Sequence, residues 1–123
     1  MMACTSHYLQ CEGREIHYTE WGAGNRQTVI AWHGLARTGR DMDALAAWLS
    51  APEQGYRVIC PDTIGRGLSE WSPEPDREYC LAFYCQLATS LVDQLGLQQF
   101  DWVGTSMGGS IGLVAAAGPL RGR

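Results

Sequence analysis

The feature that most constrains the fold of this chain is a serine flanked by glycines, placed between two apolar segments. Ser106 lies in residues 104–109, which read Gly-Thr-Ser-Met-Gly-Gly, between the apolar residues 100–103 and the small or apolar residues 110–117. A G-x-S-x-G motif between a strand and a helix is typical of a serine on a sharp turn, with its hydroxyl exposed at the end of a sheet. Unpaired N–H groups at the start of the helix favour negative charge on a bound oxygen. The motif therefore predicts a nucleophilic serine beside an oxyanion site.

The glycines on either side of the serine have a physical reason. A tight turn at Ser106 requires strained backbone angles and a close approach of neighbouring elements, and Gly104 and Gly108 have no Cβ to obstruct it. The alternative interpretation is an ordinary strand-to-helix turn in which Ser106 only caps the helix. Two further motifs elsewhere in the chain favour the nucleophile.

Short apolar strands alternate with amphipathic helices along the rest of the chain. We predict a hairpin from residues 8–11 and 15–21, strands at 28–32, 56–60 and 100–103, and helices near 42–49, 81–95 and 110–117. This alternation predicts an α/β fold in a single domain, residues 1–123, with a mostly parallel sheet after an N-terminal antiparallel hairpin. The last helix is expected to be buried, because nearly all of its residues are small or apolar.

Two more motifs each follow a predicted strand. The pair His33 and Gly34 ends one strand, and a loop at residues 62–69, which reads Asp-Thr-Ile-Gly-Arg-Gly-Leu-Ser, follows another. The two glycines of this loop allow a tight path, and Asp62 is well placed to accept hydrogen bonds from backbone N–H groups and so hold the loop. Because parallel strands end at one edge of a sheet, all three motifs are expected to converge there.

The three motifs, in this order, resemble the N-terminal half of the α/β-hydrolase fold superfamily, especially its small esterase and lactonase-like members. The resemblance runs from about Tyr8 to the last residue. It implies a mostly parallel sheet with helices on both faces. It also implies that Ser106 is the nucleophile and that the backbone N–H groups of Leu35 and Met107 form the oxyanion hole.

The resemblance assigns supporting roles to the other motif residues. His33 is expected to pack beneath its loop rather than act as the catalytic base, and Asp62 to hold its loop rather than act as the triad acid. Ile64 stands where the family often has arginine or proline, and Arg66 where it often has an aromatic residue or histidine. No metal or organic cofactor is implied.

The resemblance also implies residues that this sequence does not contain. In the family, the acid and the histidine of the catalytic triad follow the serine, but no histidine, aspartate or glutamate follows Ser106. We therefore expect an incomplete domain, truncated after the helix that follows the serine, inactive by itself and with an open sheet edge at residues 100–103. The expected function of the parent protein is serine hydrolysis of an ester, lactone or related acyl compound. The alternatives are acyl transfer or carbon–carbon bond cleavage on the same fold, or a short non-catalytic binding protein.

The amino-acid composition limits which binding partners and which cellular compartment are expected. A net charge of −4 argues against nucleic acid and membranes as partners, since both favour basic surfaces. Residues 1–8 lack the basic and apolar regions of a signal peptide. Five cysteines without a C-x-x-C pair predict reduced thiols and a cytoplasmic protein. The partner that the resemblance implies is a small-molecule acyl substrate. Cys80 and Cys85, five residues apart, are poorly spaced for a metal site and are expected to be half-buried helix residues.

Other histidines and aromatic residues have competing interpretations. His7 and His17 lie in the predicted hairpin and are expected on the surface. Trp32, Trp71 and Tyr79 could line a substrate pocket, although packing in the core or cover for the sheet is favoured.

Overall fold

A hairpin begins the fold, as the sequence predicts. A computed structural model describes residues 4–123; residues 1–3, on which part of the signal-peptide interpretation rests, lie outside the described residues. Strand β1, Cys4–Cys11, pairs antiparallel with β2, Arg14–Trp21. The two residues between them, Glu12 and Gly13, have φ angles of 52° and 76°, which is the backbone that a two-residue hairpin turn requires.

Three further strands extend the sheet. They are β3, Gln27–Trp32, β4, Tyr56–Pro61, and β5, Asp101–Gly104. The spatial order is β1-β2-β4-β3-β5, in which β2 pairs antiparallel with β4, and β3 pairs parallel with both β4 and β5. The sheet is therefore mixed, with β2 alone opposed to the other described strands. Strands β3, β4 and β5 end at the same edge of the sheet, where the three sequence motifs follow them.

Helices connect the parallel strands. A 3₁₀ turn, Gly39–Met42, runs into α1, Asp43–Ser50, and the side chain of Thr38 caps the turn by accepting from the N–H of Arg40. A short helix that the sequence did not indicate, α2, Pro75–Glu78, precedes α3, Leu81–Gln94. The last helix is α4, Met107–Ala117.

Apolar side chains fill both faces of the sheet. On one face, Ile30 and Ile59 belong to a cluster that includes Leu87 and Leu91 of α3 and Ile111 of α4. On the other face, the strand residues pack against α1 and the 3₁₀ turn in a second cluster, which contains Trp21, Ala31, Met42, Ala46, Val58 and Cys60. This arrangement confirms the predicted α/β architecture with helices on both faces.

The prediction that the last helix is buried was wrong for much of its surface. Gly108, Ile111 and Ala115 of α4 are buried, but Leu113 is 76% exposed and Val114 is also exposed. These side chains are exposed because of where α4 lies. The helix follows β5, which is at the edge of the described sheet. An apolar side chain is buried only where another element covers it.

The cysteines are free thiols in the described part of the chain. Cys11, Cys60 and Cys85 are buried, and burial raises the pKa of the Cys60 thiol to about 12. Cys80 is exposed just before α3, so it does not share the environment of Cys85 within that helix. No group of three metal-binding side chains is found among residues 4–123. None of the helices described is both long enough and apolar enough to cross a membrane.

Candidate active site

The turn at residues 104–109, called the elbow below, holds Ser106 in a strained conformation. Its φ of 52° and ψ of −111° place this residue outside the regions that side chains with a Cβ ordinarily occupy. Such a conformation costs about 1–3 kcal/mol and persists only where the surroundings impose it. Here the N–H of Thr105 donates to the carbonyl of Trp32 at 3.0 Å, which ties the elbow to the end of β3. Ser106 itself is exposed at the start of α4.

Close backbone contacts explain the glycines of the elbow. A Cβ on Gly104 would overlap the backbone of Gly108 and Gly109, and a Cβ on Gly108 would overlap the backbone of Trp32. A Cβ on Gly34 would lie 3.8 Å from the Cβ of Ser106, so the loop after β3 passes directly beside the serine. The structure therefore places the His33–Gly34 motif beside the elbow.

Two backbone N–H groups beside the serine are available to a ligand. Leu35 follows Gly34, and Met107 is the first residue of α4. Within residues 4–123, neither of these N–H groups has a hydrogen-bond acceptor. Two free donors beside an exposed serine can bind an oxygen that carries negative charge. The position at a helix N-terminus adds to this preference.

His33 is a buried structural residue in this arrangement. Its Nδ1 donates to the carbonyl of Gly34 at 2.7 Å, and its Nε2 accepts from the N–H of Thr63 at 2.9 Å. Both ring nitrogens are thus occupied by backbone groups, and burial lowers the pKa of the imidazole. His33 links the loops after β3 and β4, and neither nitrogen is free to accept a proton from Ser106.

Asp62 gathers the loop that follows β4. Its Oδ1 accepts from the N–H of Gly39 at 2.7 Å, and its Oδ2 accepts from the N–H of Leu68 at 3.0 Å. Gly67, with a φ of 54°, passes so close to the carboxylate that a Cβ there would collide with it. These contacts join the carboxylate to the backbone of its own loop and of the 3₁₀ turn.

The expectation that His17 lies on the surface was wrong. The residue is 2% exposed, its Nδ1 lies 2.8 Å from Oδ2 of Asp62, and its Nε2 lies 3.1 Å from Oγ of Ser6. Strand β2 lies between β1 and β4, so its residues are covered more fully than those of an edge hairpin. No local pattern in the sequence indicates this pairing, because His17 and Asp62 are 45 residues apart. His7, in contrast, stays partly exposed and lies 3.0 Å from Glu20.

The aromatic residues separate into core and surface. Trp32 is buried in the core and donates from Nε1 to Oγ1 of Thr63 at 2.8 Å. Trp71 is exposed, and Tyr79 is partly exposed beside Gly65. Trp32 therefore packs in the core, as favoured, whereas Tyr79 lies at the surface near the second motif.

Ser106 and the two free N–H groups have no histidine base beside them in the described part of the chain. The side chain of Ser106 has no hydrogen-bond partner in the described part of the chain, and the histidines at positions 17 and 33 are engaged elsewhere. A serine without an adjacent base keeps the weak nucleophilicity of a free hydroxyl.

Comparison with known proteins agrees with this geometry. The family model for the alpha/beta hydrolase fold matches residues 27–119. The chain belongs to the α/β-hydrolase family. An α/β hydrolase from Novosphingobium aromaticivorans superposes with a TM-score of 0.85 and 34% identity, covering 98% of this chain and 42% of that one.

Curated relatives of this α/β-hydrolase chain include several hydrolases. A 3-hydroxybutyrate-oligomer hydrolase from Cupriavidus necator is 43% identical over 117 residues, which cover 91% of this chain and 39% of the relative. A 2-hydroxymuconate semialdehyde hydrolase from a Pseudomonas species is 38% identical over 98 residues, which cover 77% of this chain and 32% of the relative. The chain thus spans about a third to two fifths of the length of these relatives.

Proposed function

We propose that this chain is the N-terminal part of a serine hydrolase that cleaves an ester or related acyl compound. Ser106 is the nucleophile, and the N–H groups of Leu35 and Met107 form the oxyanion hole. The observation that carries the proposal is the strained, exposed Ser106 at the start of α4, with a φ of 52° and two unpaired N–H groups beside it. Strain of this kind is typical of functional positions.

The proposed reaction follows from these groups. Oγ of Ser106 attacks the acyl carbon while the histidine of the triad takes the hydroxyl proton, and the carbonyl oxygen gains negative charge as the bond to the serine forms. The two N–H groups stabilise that charge, an effect that typically contributes a factor of about 10²–10³ to kcat per donor. The hydroxyl proton then passes to the departing alcohol. Departure of the alcohol leaves an acyl-serine, which water then hydrolyses.

The histidine and the acid of the triad are proposed to lie outside these 123 residues. The relatives are more than twice as long as this chain, which leaves room for both groups. No cofactor enters the proposed reaction. The negative charge and the free cysteines support a cytoplasmic enzyme that acts on a small molecule and binds neither nucleic acid nor membrane.

The substrate is proposed to be an ester of a short hydroxy acid. Support comes from the similarity to the 3-hydroxybutyrate-oligomer hydrolase, which extends over nine tenths of this chain and includes all three motifs. A second candidate function is cleavage of a carbon–carbon bond, because the similarity to the semialdehyde hydrolase extends over 77% of this chain. Both reactions begin at the same nucleophile, so the elbow favours neither.

Labelling by a fluorophosphonate probe tests the nucleophile in the full-length protein. We expect labelling of the wild type and loss of labelling in Ser106→Ala. The matched control is Ser110→Ala, since Ser110 lies one turn later, in α4, and is also exposed. A folded protein that is not labelled at Ser106 would contradict the proposal and favour a non-catalytic binding protein.

Product analysis separates the candidate reactions. The full-length enzyme is given a 3-hydroxybutyrate dimer, with and without a competing alcohol. In a separate assay it is given a dienoate, 2-hydroxymuconate semialdehyde, the compound in the name of the second relative. Release of free acid in both dimer assays supports ester hydrolysis. A new ester in the presence of alcohol indicates acyl transfer, whereas turnover of the dienoate alone indicates carbon–carbon cleavage.

A further inference from the structure

We propose that Arg66 binds a free carboxylate on the acyl substrate, and that this contact selects acidic esters over neutral ones. The inference rests on the proposed function, because it requires Ser106 to mark the reacting end of the substrate. It adds the chemical class of the group that the substrate must carry beside its ester.

Arg66 lies next to the proposed oxyanion hole. Its Nε donates to the carbonyl of Leu35 at 3.1 Å, and Leu35 is the residue whose N–H we propose as an oxyanion donor. Leu35 directly follows Gly34, which lies against Ser106. Two successive residues, Gly34 and Leu35, therefore separate the serine from the guanidinium. Since successive Cα atoms are 3.8 Å apart, the two side chains are on the order of 10 Å from each other.

The hydrogen bonds of Arg66 leave one nitrogen free. A guanidinium has five N–H donors. Besides the Nε contact, Nη1 donates to the carbonyl of Ile64 at 3.0 Å and to the hydroxyl of Tyr84 at 2.9 Å. Nη2 has no acceptor among residues 4–123, so two donors remain for a ligand. Three bonds to fixed groups hold the side chain in place, which reduces the entropy that ligand binding would cost.

The charge of Arg66 also lacks a partner. Six other arginines lie within 4.0 Å of a carboxylate, namely Arg14, Arg37, Arg40, Arg57, Arg77 and Arg123. No carboxylate of the described residues lies that close to Arg66. Arg26 and Arg121 also have none, but water surrounds both of them, whereas Arg66 is partly buried. Among the described residues, Arg66 is therefore the one partly buried arginine without an ion pair.

Aromatic rings support the guanidinium without neutralising it. The ring centres of Tyr79 and Tyr84 lie 5.9 and 5.4 Å from its central carbon, within the range of cation–π contacts. These rings exclude water from part of the group, which strengthens its attraction for an anion. Leu35 and Tyr79 are both exposed, so a ligand can reach this surface from solvent.

A carboxylate is the anion that fits. Guanidinium groups form charge-assisted hydrogen bonds with carboxylates, and these bonds are about twice as strong as neutral ones. An oligomer of hydroxy acids carries a free carboxylate at one end, a few bonds from its last ester. Such a molecule can place an ester carbonyl at Ser106 and its terminal carboxylate at Nη2 of Arg66.

A competing role for Arg66 is only to position Leu35 through its carbonyl. The two roles predict different kinetics. A positioning residue affects every ester, because all of them use the same oxyanion hole. A carboxylate-binding residue affects only esters that carry the negative charge.

The experiment compares the 3-hydroxybutyrate dimer with the methyl ester of the same dimer, in the full-length protein. For Arg66→Gln we expect kcat/KM to fall about 10- to 100-fold for the acid, mainly through KM, and to stay within about threefold for the methyl ester. Arg26→Gln, which removes an exposed arginine without an ion pair, should leave both values unchanged. Equal losses for the two substrates, or no loss for either, would overturn the proposal.

Salt and the serine variant complete the test. In the wild type, preference for the acid should weaken as ionic strength rises from 0.02 to 0.5 M, and an unchanged preference would contradict the proposal even if Arg66→Gln fails to fold. The proposed function is read separately, from turnover of the methyl ester by Ser106→Ala. Turnover retained there refutes the nucleophile, whereas the ratio between the two substrates reports only on Arg66.

Discussion

At Gly108 the backbone of α4 approaches β3 so closely that a methyl group has no space. An alanine in a helix ordinarily stabilises by about 0.5–1 kcal/mol relative to glycine. A Cβ at Gly108 would instead overlap the carbonyl group of Trp32, which is backbone and cannot rotate away. We therefore expect Gly108→Ala to destabilise the protein by about 3 kcal/mol, measured as the free energy of unfolding in urea.

Gly24 supplies the control for that substitution. A Cβ there meets nothing within 4 Å, and its φ is not in the left-handed region. Gly24→Ala is expected to change the free energy of unfolding by less than about 0.5 kcal/mol. Similar unfolding midpoints for the two variants would show that the contact between elbow and β3 is looser than described.

The carboxylate of Asp62 is the most connected buried charge near the site. It accepts from two backbone N–H groups and lies 2.8 Å from His17, with both side chains nearly inaccessible to water. In Asp62→Asn one oxygen becomes an NH₂ group that faces donors. Because this leaves buried donors unpaired, we expect a loss of about 3 kcal/mol in the free energy of unfolding.

Asp41 provides a matched aspartate for the Asp62 experiment. Its ion pair with Arg37 joins neighbouring turns at the surface, where such pairs contribute about 0–1 kcal/mol. Asp41→Asn should therefore be nearly neutral. If Asp62→Asn is equally mild, the carboxylate does not hold the loop.

The residues of the elbow could be predicted from the sequence, whereas the partner of Asp62 could not. The elbow is local, because Gly104, Ser106 and Gly108 all act within one turn of chain and their spacing is readable. His17 is 45 residues away from Asp62, and only the pairing of β2 with β4 brings them together. Strand alternation alone places this histidine on a hairpin. It does not show that β2 lies inside the sheet, between β1 and β4.

An ion-pair network joins the hairpin to α2 at the scale of whole elements. Arg14, at the start of β2, donates from Nε and Nη2 to the carboxylate of Glu78 at 2.8 Å, and Arg77 also contacts that carboxylate. The hydrogen bonds from Arg14 are the main cause that lowers the pKa of Glu78 from its ordinary value of 4.5 to about 2. The side chain of Glu78 is buried.

Acid should loosen this junction within a defined pH range. A carboxyl whose pKa is lowered in the folded state contributes stability above its unfolded pKa and loses it as the pH falls toward its folded pKa. The contribution of Glu78 is therefore complete above about pH 4.5 and is lost between about pH 4.5 and pH 2. We expect Glu78→Gln to be less stable than the wild type at pH 7, with the difference shrinking below pH 4.5. Urea unfolding between pH 7 and pH 2 measures this convergence.

Glu53 supplies the control substitution for Glu78→Gln. It is exposed in the turn after α1, so Glu53→Gln should change the free energy of unfolding at pH 7 by less than about 0.5 kcal/mol. A constant difference between Glu78→Gln and the wild type from pH 7 to pH 2 would mean that the Arg14 contact does not control this carboxyl. Helix α2 is only four residues long, and contacts of Glu78 with distant residues stabilise it, which explains why local sequence patterns did not indicate it.

For the whole molecule, the apolar surface of α4 beside β5 is the feature that remains unpartnered. Leu113 and Val114 are exposed there, next to the edge of the described sheet. The apolar composition of α4 predicted that these side chains are buried. Composition does not show which neighbouring elements cover a helix, so the prediction failed here. In the longer protein that we propose, we expect further strands and helices to pack against this surface and bury these side chains.

Leu113→Gln distinguishes a covered surface from an exposed one. In the 123-residue chain the side chain is already in water, so the free energy of unfolding should change by less than about 0.5 kcal/mol. In the full-length protein the same substitution places a polar group against later elements, and we expect a loss of about 2 kcal/mol or more. Leu113→Met, which keeps the volume and apolar character, should be tolerated in both proteins. An equally small effect of Leu113→Gln in both would mean that nothing in the longer chain covers α4, and that this apolar surface faces solvent in the complete enzyme.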